Sequence, residues 1–234
     1  MSTDLDSLEN RLGYAFTSRA LLLEALTHAS YAYEQEGGAA DNQRLEFLGD
    51  AVLQLVMTDY LFQQDLTAQE GVMTKKRAGL VCEQTLAQVA LSIGLGAFLR
   101  LGHGEAGSGG AANPALLSDA LEALLGALYL DGGLETSRRI ILELFSPYFG
   151  LALDGRLTYD HKSRLYEWAQ SQPDTSIDFQ VREAAGPEHD RFYTVDLYVD
   201  GCVQAWGQGK TKKSAEQDAS RRFLEMKGDG QTSC

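Results

Sequence analysis

Long apolar runs are missing from this sequence: no stretch of about 18 uncharged apolar residues occurs, so nothing in it is built to span a bilayer as a helix. The first ten residues carry Asp4, Asp6 and Glu9 where an export signal carries Lys or Arg. A cytoplasmic protein without a membrane partner is the expectation. Cysteine is scarce as well. Cys82, Cys202 and Cys234 are odd in number, far apart and in no CxxC spacing, which argues against a disulfide framework or a thiolate metal site and for free thiols in a reducing compartment. The 4 histidines include one adjacent His-Asp pair, His189-Asp190 in the "GPEHD" turn, which alone does not make the site of a nucleotide phosphohydrolase. His28 in "LTHASY" and His103 in "LGHGE" fit no catalytic triad and read as structural.

Basic charge is the other shortage. With 20 Lys+Arg against 33 Asp+Glu the formal net charge is -13, at face value a poor match to nucleic acid. The distribution modifies that reading: residues 1–156 hold 10 Lys+Arg against 20 Asp+Glu, and residues 157–234 hold 10 against 13. The acid is concentrated in the first part.

What is present, 234 residues at 44% hydrophobic, suffices for one large core or two ordinary ones. Helical periods run through "SRALLLEALTHASY", "TLAQVALSIGLGAFLRL" and "PALLSDALEALLGALYLDGG", with a glycine-rich break at "GHGEAGSGGAANP". The pattern lapses in "SPYFGLALDGRLTYD". A short helix over 162–170 follows, then the alternating runs "IDFQVREAAG", "DRFYTVDLYVDG" and "CVQAWGQG", and a helix over 211–226. The expected fold is an all-α domain over 4–150, a linker over 151–159 and a small α+β domain, α-β-β-β-α, over 160–228.

Two helices in the first domain pose a physical problem. Within "NQRLEFLGDAVLQLV" the charges beyond Arg44 are Glu46 and Asp50, four apart and so on one helical face; "ALLSDALEALLGALYL" carries only Asp119 and Glu122, three apart. Both pairs sit in apolar surroundings. An isolated buried carboxylate costs several kcal/mol, and four that converge repel unless protons or a cation intervene. Arg44 alone cannot neutralise four acids, whereas a divalent ion can. All-oxygen ligation suits Mg²⁺, with Mn²⁺ as a substitute, and disfavours zinc. Such an ion lowers the pKa of a bound water and screens charge on a phosphodiester. A purely structural ion, or acids kept protonated in the core, is the other reading of the same pattern.

The stretch "NQRLEFLGDAVLQL" resembles the signature of ribonuclease III, usually N-E-R-L-E-F-L-G-D, and "SDALEALLGALYLDGG" resembles that family's second carboxylate helix. The likeness continues through "EGVMTKKRAGLVCEQTLAQVA" and "LRLGHGEAGSGG" and covers nearly the whole chain. It implies an endoribonuclease that hydrolyses both strands of double-stranded RNA, leaving 5'-phosphate and 3'-hydroxyl ends with a short 3' overhang, in ribosomal and messenger RNA processing. Glu46, Asp50, Asp119 and Glu122 are then the catalytic acids, with Glu46, Asp119 and Glu122 as metal ligands. It also implies a homodimer in which Phe47 inserts into the partner and Glu70 of "QEGVM" lies near the metal site across the interface. From the residues alone Phe47 is an ordinary core side chain and Glu70 an exposed loop acid. The chain departs from the family at Gln43, where Glu is usual, and after "SGG", where basic residues give way to "AANPALL". The rival reading, a catalytically silent relative that only docks on RNA, would be marked by a lost ligand, and all four acids are in place.

The last helix starts with Lys210, Lys212 and Lys213, which oppose the helix dipole by about 0.3–1 kcal/mol each unless an anion faces them. Phosphate fits that position; a merely solvated lysine cluster is the alternative. The order α-β-β-β-α ending in this helix resembles the double-stranded RNA-binding domain. By that resemblance Ser163, Glu167 and Gln170 face one minor groove and His189 in "GPEHD" reaches the other, while Tyr166 replaces a commoner glutamine. Leu165, Trp168, Ala215, Ala219 and Phe223, at helical spacings, and Tyr193, Val195, Leu197 and Val199, in strand alternation, are expected in the core. Local basic charge on an acidic chain predicts strong salt sensitivity of RNA binding.

Overall fold

In the computed structural model, which describes residues 5–35, 39–154, 157, 161–186 and 191–229, the chain divides into two compact units, 1–157 and 158–234. The first is helical throughout: α1 (Leu5–Leu12), α2 (Arg19–Ala25), α3 (Ala29–Glu34), α4 (Gln43–Gln64), α5 (Glu70–Leu80), α6 (Glu83–Ser92), α7 (His103–Gly107) and α8 (Pro114–Leu153). No described helix is long and apolar enough to cross a membrane.

Caps explain several boundaries. Ser18 accepts from the backbone N–H of Leu21 at the start of α2, His28 from Ser30 at the start of α3, and Asn113, followed by Pro114 at the first helical position, from Ala115 at the start of α8. The glycine-rich break is more ordered than its composition suggests, since it holds α7 and a 3₁₀ turn over Gly110–Ala112.

The spine of this unit is the crossing of α4 and α8. Leu45, Val52, Leu53, Val56 and Met57 from α4 are buried with Leu117, Leu121, Leu124 and Leu128 from α8. Each such side chain removed from water contributes about 1.5–3 kcal/mol, a shell large enough to outweigh the several kcal/mol that nearby carboxylates cost. The helices meet at backbone distance. A Cβ on Gly49 would lie 1.7 Å from the Glu122 carbonyl oxygen, and one on Gly126 would lie 2.2 Å from the Leu45 carbonyl oxygen. No side chain other than hydrogen fits at either position.

Helix α8 breaks at Gly133, whose φ of 75° interrupts an otherwise helical path. Just before the break, the Asp131 carboxylate accepts from Tyr14 Oη (2.7 Å) and from the backbone N–H groups of Thr17 (2.8 Å) and Ser18 (2.8 Å), tying the long helix to the start of α2. The helix continues to Leu153, beyond residue 150 where the first domain was expected to end. It does so because Phe149 stacks on Tyr60 (4.0 Å between ring centroids) and Ala152 is buried. Leu157 is buried as well, its carbonyl packed where Gly79 has no side chain.

The second unit consists of α9 (His161–Gln170), β1 (Ile177–Ala185), β2 (Phe192–Val199), β3 (Cys202–Gly209) and α10 (Lys212–Asp229). The sheet is antiparallel in the order β1-β2-β3, with Ile177 opposite Val199 and Leu197 opposite Ala205. Asp200 and Gly201, both at positive φ, form the two-residue turn between β2 and β3. Leu165, Leu197, Val199, Ala205, Ala219 and Phe223 form its core. Trp168 and Tyr193, expected inside, are half-buried. Trp168 packs edge-on against Phe223 at 4.8 Å while the rest of its indole reaches the surface.

Candidate functional site

The glycine-tight crossing of α4 and α8 sets the spacing of the acids beside it. Gly49 and Gly126 draw the two backbones together, and Glu46 and Glu122 lie within one turn of that contact. Glu46, Asp119 and Glu122 each offer a carboxylate oxygen, and these atoms lie within 4.8 Å of one another. Asp50 stands outside that tight trio, its Oδ1 accepting from Gln54 Nε2 at 3.3 Å. All four are half-buried. No arginine or lysine forms an ion pair with any of them among the described residues.

Electrostatics follow from that geometry. Burial, and then the charges of Asp50, Glu46 and Asp119, push Glu122 up to about 8. Burial also raises Glu46, reinforced by Asp119, Asp41 and Asp50. Asp119 is raised by burial against the opposing pull of the Ser118 hydroxyl and the nearby His28 ring. Three half-buried, mutually repelling carboxylates at ligand spacing, without a basic partner, make a donor set that fits a hard divalent cation and not zinc.

Two further positions are settled by exposure. Phe47, a core side chain when read from the residues alone, is 83% exposed, because it lies on the outer face of α4 in a row with the exposed Ala51 and Leu55. A recess of about 730 Å³ lies beside it, walled by Leu21, Glu24, Arg44, Leu48 and Leu130. Glu70 opens α5, is exposed, and does not belong to the carboxylate cluster of its own chain.

In the second unit, Ser163, Glu167 and Gln170 are exposed along one face of α9, spaced by four and three residues. Lys210, Lys212 and Lys213 are exposed around the start of α10. Thr211 fixes that start: its Oγ1 accepts from the Ser214 N–H (3.0 Å) while Ser214 Oγ accepts from the Thr211 N–H (3.0 Å), a reciprocal cap that carries the lysines outward. His189 lies outside the described residues. Sequence reasoning missed Lys162, which the fold takes inward: its Nζ pairs with Glu216 (2.5 Å) and lies over the Phe179 ring. It missed the crossing glycines too, although "LGDA" and "LLGA", each a glycine three or four residues after a motif acid, carried the signal.

Comparison with known proteins agrees with both halves. Residues 18–148 match the family model described as ribonuclease-III-like, and residues 161–226 match the double-stranded RNA binding motif. The chain is 45% identical over 224 residues to ribonuclease 3 of Caldanaerobacter subterraneus subsp. tengcongensis, covering 96% of this chain and 98% of the relative. It is 43% identical over 231 residues to ribonuclease 3 of Pelotomaculum thermopropionicum, covering 98% and 95%. Among solved structures, the nuclease domain of ribonuclease III from Campylobacter jejuni, described for flexibility in a region involved in dimer formation, is 42% identical. It covers 63% of this chain and 99% of its own length at a TM-score of 0.59. Matched in sequence along almost its whole length and in domain order, the chain belongs to the ribonuclease III family.

Proposed function

We propose that this ribonuclease III is a Mg²⁺-dependent endonuclease, active also with Mn²⁺, that cuts double-stranded RNA to 5'-phosphate and 3'-hydroxyl ends as a homodimer in the cytoplasm. The observation that carries the reading is the trio Glu46, Asp119 and Glu122, at ligand spacing and without a basic partner, in a chain of this family. These three would hold the ion. When bound, it supplies charge screening for the phosphodiester and lowers the pKa of the attacking water.

The rest falls to side chains of the chain itself. Glu122, at about 8, passes from mostly protonated to ionised across neutral pH, so it keeps or yields its proton according to what occupies the site. Asp50 is a catalytic carboxylate set beside the ligands, its Oδ1 held by Gln54, and would act as the base that takes a proton from the attacking water. In the RNA-binding unit, Lys210, Lys212 and Lys213 with the open N–H groups of α10 take backbone phosphates. Ser163, Glu167 and Gln170 read the width and 2'-hydroxyls of a minor groove, with His189 for a second groove. Shape reading of this kind suits structured ribosomal and messenger precursors.

The exposed Phe47 and the recess beside it support a two-fold pairing in which each Phe47 enters the other chain's recess. Glu70 would then reach the partner's carboxylate cluster. The deciding experiment incubates the purified protein with a long RNA duplex with and without Mg²⁺ or Mn²⁺. Cleavage only with the ion, into 5'-phosphorylated fragments, is expected; retarded but intact duplex in every condition would replace this reading with that of a silent RNA-binding relative.

A further inference from the structure

The chain leaves α8 at Leu153 and enters α9 at His161, and one residue between them, Leu157, is fixed to the nuclease unit. Leu157 is 7% exposed, and its N–H donates to the Leu151 carbonyl (2.9 Å), which bends the chain back onto the last turn of α8. Its seat is the end of α5. Gly79 is buried there, and a Cβ on it would lie 2.2 Å from the Leu157 carbonyl oxygen and 3.7 Å from Leu157 Cγ; outside its own helix, the atoms nearest that position all belong to Leu157. Glycine is among the poorest helix formers, so its place within α5 answers to this contact and not to the helix. The seat is itself held. The Gly79 carbonyl accepts from Thr85 Oγ1 (2.6 Å) and from Cys82 Sγ (3.3 Å), joining the end of α5 to the start of α6. Of the linker expected over 151–159, α8 takes the first three residues and this contact takes Leu157, so that residues 158–160 alone separate the fixed chain from α9.

We infer that Leu157 is an anchor: seated on Gly79, it moves the start of the tether of the RNA-binding unit from the end of α8 to the corner between α5 and α6. The tether shortens from eight peptide steps, Leu153 to His161, to four. At no more than about 3.6 Å per step, its reach falls from about 29 Å to about 14 Å. The consequence for catalysis rests on the proposed function. A duplex held by the RNA-binding unit meets the carboxylates as an intramolecular partner, at an effective concentration that falls with about the −3/2 power of tether length. By keeping the tether short, Leu157 keeps that concentration high.

Trypsin reads the anchor without RNA, because the Arg156–Leu157 bond can enter a protease only when Leu157 leaves its seat. In the full-length protein, Leu157→Ser and Gly79→Ala are each expected to speed cutting at this bond by about tenfold. Gly79→Ala leaves the cleaved sequence untouched and favours α5 by propensity, so the helical circular dichroism signal should be unchanged. Parent-like cutting in either variant would overturn the anchor. Two insertions then test the tether. Twelve Gly/Ser residues between Leu157 and Thr158 lengthen it fourfold, and KM for duplex cleavage is expected to rise about eightfold at unchanged kcat. The same insert between Asp154 and Gly155 loops out ahead of the anchor and is expected to leave KM within about twofold of the parent. Equal KM shifts from the two inserts, or none from either, would overturn the role of the tether. A parent protein that binds duplex and never cuts it would instead remove the proposed reaction, while the tryptic result still decides the anchor.

Discussion

In the N-terminal unit the acids are drawn partly out of water by a crossing of α4 and α8 so tight that two glycines meet opposing carbonyls, whereas in the C-terminal unit the lysines stand exposed around the start of α10. One arrangement is held by the core and opposes its own charges; the other is held by a local cap on the exposed surface. A site of the first kind responds steeply to any change that shifts backbone or proton count, and a site of the second kind responds in proportion to the charges removed. On the proposed function the difference explains how a chain of net charge -13 can serve RNA: the acid is gathered where a cation would sit, and the exposed lysines where phosphate would.

The sharpest way to break that contrast is Glu122→Gln. Several kcal/mol of charge stabilisation, at tenfold per 1.36 kcal/mol, makes the expected loss of duplex cleavage about 10³-fold. Filter binding in the absence of divalent ions should show unchanged affinity for RNA, and a matching loss of binding would erase the division between the units. The same substitution tests the electrostatics. Glu122 is raised in the folded protein from an ordinary 4.5 to about 8, so in EDTA its contribution to stability is full below pH 4.5 and is lost as pH climbs through about 8. The parent Tm in EDTA should therefore fall across that window more than that of Glu122→Gln, and parallel curves would contradict the shift.

Next in size is Gly49→Ala, in which a methyl must displace the Glu122 carbonyl. Overpacking of this kind costs about 1–3 kcal/mol. Differential scanning calorimetry should show a lowered transition for the nuclease unit with the RNA-binding unit unaffected; a Tm equal to the parent's would mean that the helices have room to spare. The proportional response of the other unit is tested by the double variant Lys212→Ala, Lys213→Ala. Each lost phosphate contact lowers the slope of log affinity against log salt by about 0.7–0.9, so the slope should flatten by up to about 1.8 without change in metal affinity. An unaltered slope would exclude these lysines from the RNA contact. Smallest is Thr211→Ala, which removes the cap and should cost about 1 kcal/mol in the C-terminal unit alone, seen as earlier loss of its circular dichroism signal.

Much of this was legible beforehand. The period-2 runs and the flanking helices gave the α-β-β-β-α order, and the paired acids stood out because so little else on their helices was charged. Phe47 was not legible, since α4 is apolar on almost every side and periodicity cannot tell which side a single chain leaves open. Nor was the continuation of α8 to Leu153: the Tyr60–Phe149 stack that supports it joins residues distant in sequence. The short helix α7 was hidden for a related reason, as Gly102 and His103 are anchored by hydrogen bonds to Ser30 and Glu34 far earlier in the chain, and glycine content alone signals a loop. Spacing pairs Asp50 with Glu46 on α4, while the tight trio is completed by Asp119 and Glu122 of α8, a meeting of segments distant in sequence.

Because Gly49 and Gly126 let the backbones themselves act as the spacer, separation of α4 from α8 and dispersal of the donor oxygens are one event. Whatever ion the trio accepts therefore acts as a rivet between two helices, raising the melting temperature by mass action in step with its own affinity. A panel of divalent salts and a thermal-shift dye would rank the candidates with no RNA in the tube.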